Sequence, residues 1–405
     1  MDSNKAAQES KDVYSSFDFI LAVDSIEEIT PQENPFESLL GFYKKQKDWI
    51  FGYLSYELKD TIEKLSSDNT DRIGFPALHF FCPRFIFTIE QQNLCIFFRS
   101  ELQTEASVLK VVKDILSSST EEQKREHVSI EIKQRISREE YLKAVNSIQM
   151  HIQIGDVYEM NFCQEFYVED ATIDAGAVFE KLNKLSKAPL SCYYKRHKKH
   201  LLCASPERYL KKTGNKLISQ PIKGTSKRGA TINEDRHLKS ALLKDEKERS
   251  ENIMIVDLVR NDLSKVAKRG SVKVEELCEL YSFEQVHQLI STISCELDSD
   301  VSISDILKST FPMGSMTGAP KIKAMQLIEQ YEETKRGLYS GAVGYISPEG
   351  DFDFNVVIRS ILYNENEQYI SYIAGSAITS KSIPEKEYEE CMTKAKAMYT
   401  VFSNS

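Results

Sequence analysis

Residues 342–374 read AVGYISPEGDFDFNVVIRSILYNENEQYISYIA. Three apolar runs rich in β-branched and aromatic residues, Ala342 to Ser347, Phe354 to Leu362 and Gln368 to Ala374, are punctuated by Pro348-Glu349-Gly350 and Asn364-Glu365-Asn366. Punctuation this short joins strands as hairpins. Parallel strands would need a crossover of a dozen residues or more. The stretch therefore predicts an antiparallel meander and an α+β chain, not a doubly wound parallel sheet.

The same signals continue upstream. His200 to Ser205, Arg208 to Lys211 and Lys216 to Ile222 read as neighbouring strands with a Thr213-Gly214-Asn215 turn. Residues 233–262 read as helix, in one or two pieces, and Glu139 to Gln153 as another. Nearer the start, Trp49 to Tyr56, Phe80 to Ile89 and Cys95 to Phe98 carry strand patterns. Residues 1–15 read as a frayed tail. The polar stretch Ser117 to Glu126 has no apolar period and is the best boundary. It divides a β-rich N-terminal subdomain, 1–125, from a larger domain, 126–405.

Bulk properties narrow the function. A formal charge of −9 over 405 residues argues against nucleic acid or an anionic membrane as partner, since both need a basic face. No run of about 18 apolar residues offers a membrane span. The start lacks a basic, apolar signal peptide. The eight cysteines include no CxxC pair, so they read as reduced core residues of a cytoplasmic protein. The seven histidines form no HxH or HxxxH ligand pair. No glycine-rich phosphate loop joins a strand to a helix.

Several residues carry possible chemistry. Glu251 would share a helix face with Ile255 and Leu258, where a carboxylate needs a cation, either a metal or a neighbouring lysine or arginine. Glu387 and Glu390 lie three apart after Pro384. They could hold Mg²⁺ or only complement a helix N-terminus. Met313 to Lys321 is a glycine-bearing loop entering a helix at Pro320, which could bind an anion or be a tight turn. Arg359, inside an apolar strand, wants a carboxylate from the protein or a substrate. Ala374-Gly375-Ser376-Ala377 offers small residues beside which a ligand could approach the backbone. Glu207 and Lys223 lie on nearby strands, and Lys223 sits between Pro221-Ile222 and Gly224-Thr225, where a strand breaks. Most lysines are surface charges; a buried one with a lowered pKa would be a nucleophile.

Together these segments resemble the chorismate-binding enzymes, a family that includes anthranilate synthase component I, aminodeoxychorismate synthase component I and the isochorismate and salicylate synthases. The resemblance runs from about Ser137 to Phe402. It rests on Ser205-Pro206-Glu207-Arg208, Glu251 to Asp262, Thr317-Gly318-Ala319-Pro320-Lys321 and Ala374 to Thr379, with Gly52 to Tyr56 similar to the aminating members. It implies two large stacked antiparallel sheets with helices outside and a site in the cleft between them. It implies Mg²⁺ held by Glu251 and Glu390, with Glu387 as ligand or water holder. Arg359 and the backbone near Gly375 would hold a side-chain carboxylate. Thr317, Gly318, Lys321, Tyr345 and Ser376 would complete the substrate contacts, and Glu207 would protonate the departing C4 hydroxyl.

Two positions choose among the members. Isochorismate and salicylate synthases have a base lysine where this chain has Glu159, so water activation is not expected. Anthranilate synthases typically read Pro-Ile-Ala-Gly-Thr where Lys223 stands. The lysine resembles aminodeoxychorismate synthase component I, in which it attacks C2 covalently before ammonia enters at C4. The aminating members usually have Gln at the place of Glu159 and His at that of Gln288; His287 could substitute only if its strand shifted. No glutaminase set of Cys, His and Glu is visible. The resemblance thus implies ammonia from a separate glutamine amidotransferase subunit and a role in folate synthesis. Anthranilate synthesis, or an inactive paralogue that only regulates a glutaminase, are the alternative expectations.

Overall fold

Residues 342–374 form four strands, not three. In the computed structural model, which describes residues 1–4, 16–90, 93–117 and 131–402, the expected central strand is broken into Phe352–Val356 and Ser360–Asn364. The first pairs with Ala342–Ile346, the second with Tyr369–Thr379. The two halves belong to different sheets. The meander is therefore two hairpins joined by a crossing at 357–359. Apolar alternation was right for each half and silent about the switch, because both sheets offer the same buried environment.

Among the described residues, the first sheet has eleven strands. Its spatial order is Phe19–Ile29, Leu78–Glu90, Ile50–Leu54, Ala342–Ile346, Phe352–Val356, Arg208–Thr213, Lys216–Gln220, Val286–Glu296 and Ile222–Lys227. Asn93–Phe98 and Lys273–Ser282 branch from it. The second has seven, in the order Gly318–Ala319, Glu159–Val168, Tyr369–Thr379, Ser360–Asn364, Lys199–Ser205 and Leu190–Arg196, with Lys133–Gln134 beside Glu159–Val168. Every pairing between these strands is antiparallel.

Helices cover the outer faces. Pro35–Gln46, Glu246–Ser264 and Ile303–Thr310 pack with the first sheet around Phe80, Leu217, Ile255, Ile293, Leu307 and Phe354. Arg138–Gln153, Lys321–Tyr331 and Pro384–Phe402 pack on the second. Tyr53 and Val343 of the first sheet share a core with Tyr194, Leu201 and Leu362 of the second. Burying Val/Leu/Ile-sized side chains contributes about 1.5–3 kcal/mol each, so this shared core holds the sheets face to face.

Local chemistry explains the helix limits. Ser137 and Glu140 form a capping box at the start of Arg138–Gln153. The 233–262 segment is two helices, Ile232–Lys244 and Glu246–Ser264. Asp245 leaves helical geometry, and its carboxylate accepts from the Lys247 and Glu248 backbone N–H groups. Among the described residues, no helix is long and apolar enough to cross a membrane. Seven cysteines are buried, Cys95 is exposed, and all are free.

The division near residue 125 falls within 118–130, outside the described residues, as does most of the expected tail. Strands from both sides of that division pair directly, since Ile50–Leu54 lies along Ala342–Ile346.

A buried ion pair locks this junction. Arg336 and Glu332 are 2% and 6% exposed, with Nη2 donating to Oε1 at 2.6 Å. Arg336 also stacks over Tyr56, 4.8 Å from its centroid. Truncating one partner of such a pair strands the other charge. Arg336→Met is expected to cost about 3–5 kcal/mol, measured in urea as a lower midpoint with an unchanged m-value. A shift below about 1 kcal/mol would mean the carboxylate finds other compensation.

Candidate active site

Two chain crossings build the cleft. Residues 206–207 carry the chain from Lys199–Ser205 in the second sheet to Arg208–Thr213 in the first. Residues 357–359 make the opposite passage. The two run side by side, because Val356 N donates to Glu207 O at 3.0 Å and Ala204 N to Arg359 O at 3.1 Å. Glu207 and Arg359 are thus held at the join of the sheets by backbone bonds.

Glu207 is 4% exposed. Ser315 Oγ donates to its Oε1 at 2.5 Å. Burial pushes its carboxyl up to about 7, although Ser315 and Lys223 work in the other direction. It can therefore carry a proton near neutrality, as a general acid must. A small pocket beside it is lined in part by Tyr209, Pro221, Val259 and Met313.

Arg359 departs from the mid-strand expectation. Its backbone lies in the left-handed region at φ 50°, an uncommon conformation for a non-glycine residue. The residue is half-buried, and among the described residues no hydrogen bond or ion pair engages its guanidinium. A guanidinium so placed suits a planar anion brought from outside.

Lys223 lies on the edge strand Ile222–Lys227. Ile222 opposes Ile290 and Thr225 opposes Gln288, so three steps on one strand match two on the other. That is a β-bulge, and Gly224 accommodates it at φ 94°. Asn252 Nδ2 donates to the Lys223 carbonyl at 3.2 Å, and Ser291 Oγ donates to Asn252 Oδ1 at 2.5 Å. The Lys223 side chain, 12% exposed, reaches to the second sheet, with Nζ 3.1 Å from Glu159 Oε1. It also donates to Asn161 Oδ1 at 3.4 Å. Burial acts to lower its pKa, but Glu159, Glu251 and Glu207 outweigh burial and hold the ammonium above its ordinary value. The lowered pKa that would make a ready nucleophile is therefore not what these neighbours give Lys223.

The three metal candidates come from two helices. Glu251 lies on Glu246–Ser264, and Glu387 and Glu390 on Pro384–Phe402. Burial pushes Glu251 up to about 7. Its Oε1 and Glu387 Oε2 are buried without a hydrogen-bond partner. Lys247 Nζ stands between these residues, 3.1 Å from Glu387 Oε1 and 3.8 Å from Glu251 Oε1. Burial opposes charge on Glu390, but Lys394, Lys247 and Lys223 keep its carboxyl below the usual range. Among the described residues, no group of three or more His, Cys, Asp or Glu is close enough to hold a metal ion. Buried, unsatisfied carboxylate oxygens nevertheless fit a hard divalent cation, which would compete with Lys247 for them.

The remaining expected contacts divide. Thr317 Oγ1 donates within its own loop to Met313 O at 3.1 Å, and the Thr317 carbonyl accepts from Asn161 N at 2.8 Å. Gly318 pairs with Met160 beside Glu159; a Cβ there would lie 2.2 Å from Glu159 O, so the close strand itself requires glycine. Gly375 is similar: a Cβ would meet Phe162 O at 2.0 Å. Its small size is required by strand packing. Ser376 Oγ lies 3.5 Å from Tyr141 Oη.

Lys321 is committed to the protein, donating to Asp262 Oδ2 at 2.5 Å and Thr310 O at 3.1 Å. Tyr345 is placed apart from this group, in an aromatic cluster with Phe17, Trp49 and Phe51. It lines a cavity with Arg208 and Asp353. The substrate contact that the resemblance implied for Tyr345 is thus not brought to this group. His287 does not replace the expected histidine. It opposes Ser226 without a slip and lies 2.9 Å from Asp235 through Nε2. Gln288 Oε1 is buried without a partner.

Asn161, Asn252, Lys247 and Ser315 were not among the expected site residues, although Asn252 lies within the Glu251 to Asp262 segment and Ser315 within the Met313 to Lys321 loop. Arg336 also reaches the site, donating to Met316 O at 2.6 Å and Asn161 O at 3.2 Å.

Comparison with known proteins agrees with this architecture. A family described as chorismate binding enzyme matches residues 1–400. An aminodeoxychorismate synthase of Arabidopsis thaliana is 40% identical over 264 residues, 64% of this chain and 28% of that protein. Anthranilate synthase component 1 of Aquifex aeolicus is 38% identical over 262 residues, 65% of this chain and 52% of that protein. The chain thus spans between about a quarter and a half of these relatives. Both names recur among other relatives. The crystal structure of anthranilate synthase component I from Streptococcus pneumoniae superposes with a TM-score of 0.85 at 27% identity, covering 97% of this chain and 94% of that one.

Proposed function

Because the chain belongs to the chorismate-binding enzyme family, we propose that it aminates chorismate at C4 to give 4-amino-4-deoxychorismate, a precursor for folate, through a covalent bond to Lys223. The observation that carries this reading is the placement of the Lys223 ammonium in the cleft that also holds Glu207. A nucleophile and an acid there match the needs of displacing a C4 hydroxyl.

Mg²⁺ would be held by Glu251 and Glu390, with Glu387 as ligand or water holder. When bound it would supply positive charge for a substrate carboxylate. Arg359 binds the other carboxylate through its free guanidinium. Glu207 gives its proton to the C4 oxygen, which leaves as water. Lys223 bonds to C2 until ammonia arrives at C4 and releases it. Ammonia comes from a separate glutamine amidotransferase subunit or from solution.

The deciding assay supplies chorismate, Mg²⁺ and ammonium and identifies the product. The C4 amine, with turnover lost on removing Mg²⁺ by chelation, is expected. Anthranilate would move the chain to the reading that the Streptococcus likeness favours. Isochorismate formed without ammonia would contradict the role given to Lys223. Failure to bind chorismate with Mg²⁺ present would support an inactive, regulatory paralogue instead.

A further inference from the structure

Glu159 has no task in the scheme above. It is fully buried at 0% exposure, at the start of Glu159–Val168, where Gly318–Ala319 fastens its backbone. Both of its carboxylate oxygens lack an ordinary hydrogen-bond partner. Such a carboxylate is costly unless it is paired or has proton chemistry to do. Among the described residues, only the Lys223 ammonium lies within ion-pair distance, at 3.1 Å. The ammonium has a second acceptor, Asn161 Oδ1 at 3.4 Å, but an amide oxygen cannot store a proton.

A lysine attacks only as the free amine, so its proton must go somewhere. Glu207 needs its own proton for the C4 oxygen. Glu251 acts on Lys223 from beyond ion-pair distance. Glu159 is in contact and has spare capacity. We propose that Glu159 is the general base that takes the proton from the Lys223 ammonium before attack on the substrate. This rests on the covalent reading given above.

The step balances. The N–H bond breaks, its pair stays on Nζ, and the proton moves to Glu159 Oε1. The Nζ pair forms the bond to C2. The ring double-bond pairs shift toward C4, and the C4–O bond breaks as Glu207 protonates the oxygen to give water. When ammonia bonds to C4, the pairs shift back and the C2–N bond breaks with its pair on the lysine. Glu159 then returns its proton to Lys223, and the new C4 ammonium loses one that restores Glu207.

The charged groups acting on Nζ are Glu159, Glu207 and Glu251, with Glu248 and Glu390 also acting from beyond ion-pair distance. Glu159→Gln removes one anion and the proton acceptor together, so it moves two readouts in opposite directions. Carbamylation of Lys223 by cyanate, followed by peptide mass analysis, should become faster at pH 7 because the ammonium is less stabilised. Turnover at saturating chorismate should fall about 100-fold at pH 7 and, measured against the parent at each pH, recover as pH rises and the amine loses its proton to water. Glu159→Asp should retain more turnover than Glu159→Gln.

Turnover that rises together with carbamylation would make Glu159 a restraining charge and overturn the proposal. A uniform loss at every pH, with carbamylation unchanged, would make it structural and also overturn it. The parent's product separates the two layers. If the parent forms the C4 amine but Glu159→Gln behaves in either of these other ways, only the base assignment falls. If the parent forms anthranilate, the covalent reading falls and takes this step with it.

Discussion

Lys223→Ala is expected to lose about 10³-fold in kcat for the C4 amine, or about 4 kcal/mol of barrier. The variant removes the group that bonds to C2, while Glu207 and Arg359 keep their own anchors to the opposite sheet crossing. Magnesium-dependent chorismate binding should therefore change far less than turnover. Mass analysis of the parent with chorismate and no ammonia should find an adduct on the peptide containing Lys223, absent from the variant. Removing Lys223 also leaves Glu159 without its ammonium, so thermal unfolding of the variant must be compared with the parent. A folded variant with normal rates, and a parent that never forms an adduct, would remove Lys223 from the chemistry.

The second large effect is expected at Glu207. Glu207→Gln should lower kcat by about 10²–10⁴-fold, the usual contribution of a positioned acid. Its pH profile gives an independent sign. The acid must be protonated, and burial pushes it up to about 7. Activity dependent on it is present below that pH and falls as pH rises through it. The assay should hold unprotonated ammonia constant, since ammonia itself increases with pH. Under that condition kcat in the parent should show the falling limb, and the residual rate of Glu207→Gln should lack it. An identical limb in both proteins would assign the ionisation to another group, with Glu251, which burial also pushes up to about 7, the first to examine.

Much of this architecture was legible because hairpins announce themselves locally. Alternating runs and polar turns marked the strands at 199–205, 208–213 and 342–346. The helix at Arg138–Gln153 was marked by periodicity and begins at a capping box. The break after Pro221-Ile222 did prove to be a bulge at Lys223. What pairwise spacing could not contain was which sheet a strand joins. The run 354–362 has the same composition on both sides of Val357, yet the chain changes sheets there. That choice turns a mid-strand arginine into a cleft residue at positive φ. Tyr345 was misplaced for a related reason: its neighbours Phe17 and Trp49 lie some 300 residues earlier. Lys321 looked available because Asp262, its partner, is 59 positions away. Asn161 and Ser315 became visible only when their contacts to Lys223 and Glu207 were assembled.

The pairing of Ile50–Leu54 with Ala342–Ile346 sets a waiting time during synthesis. After Leu54, 287 residues are made before its register partner Ala342. At about 5–20 residues per second that is roughly 15–60 s. Throughout it, Ile50–Leu54 can pair with Leu78–Glu90 on one side while its other edge has no partner of its own. Such an edge, carrying Phe51 and Tyr53, is a template for any other unfinished chain nearby. Yield of soluble protein should therefore depend on how crowded the nascent chains are, long before any substrate meets Lys223.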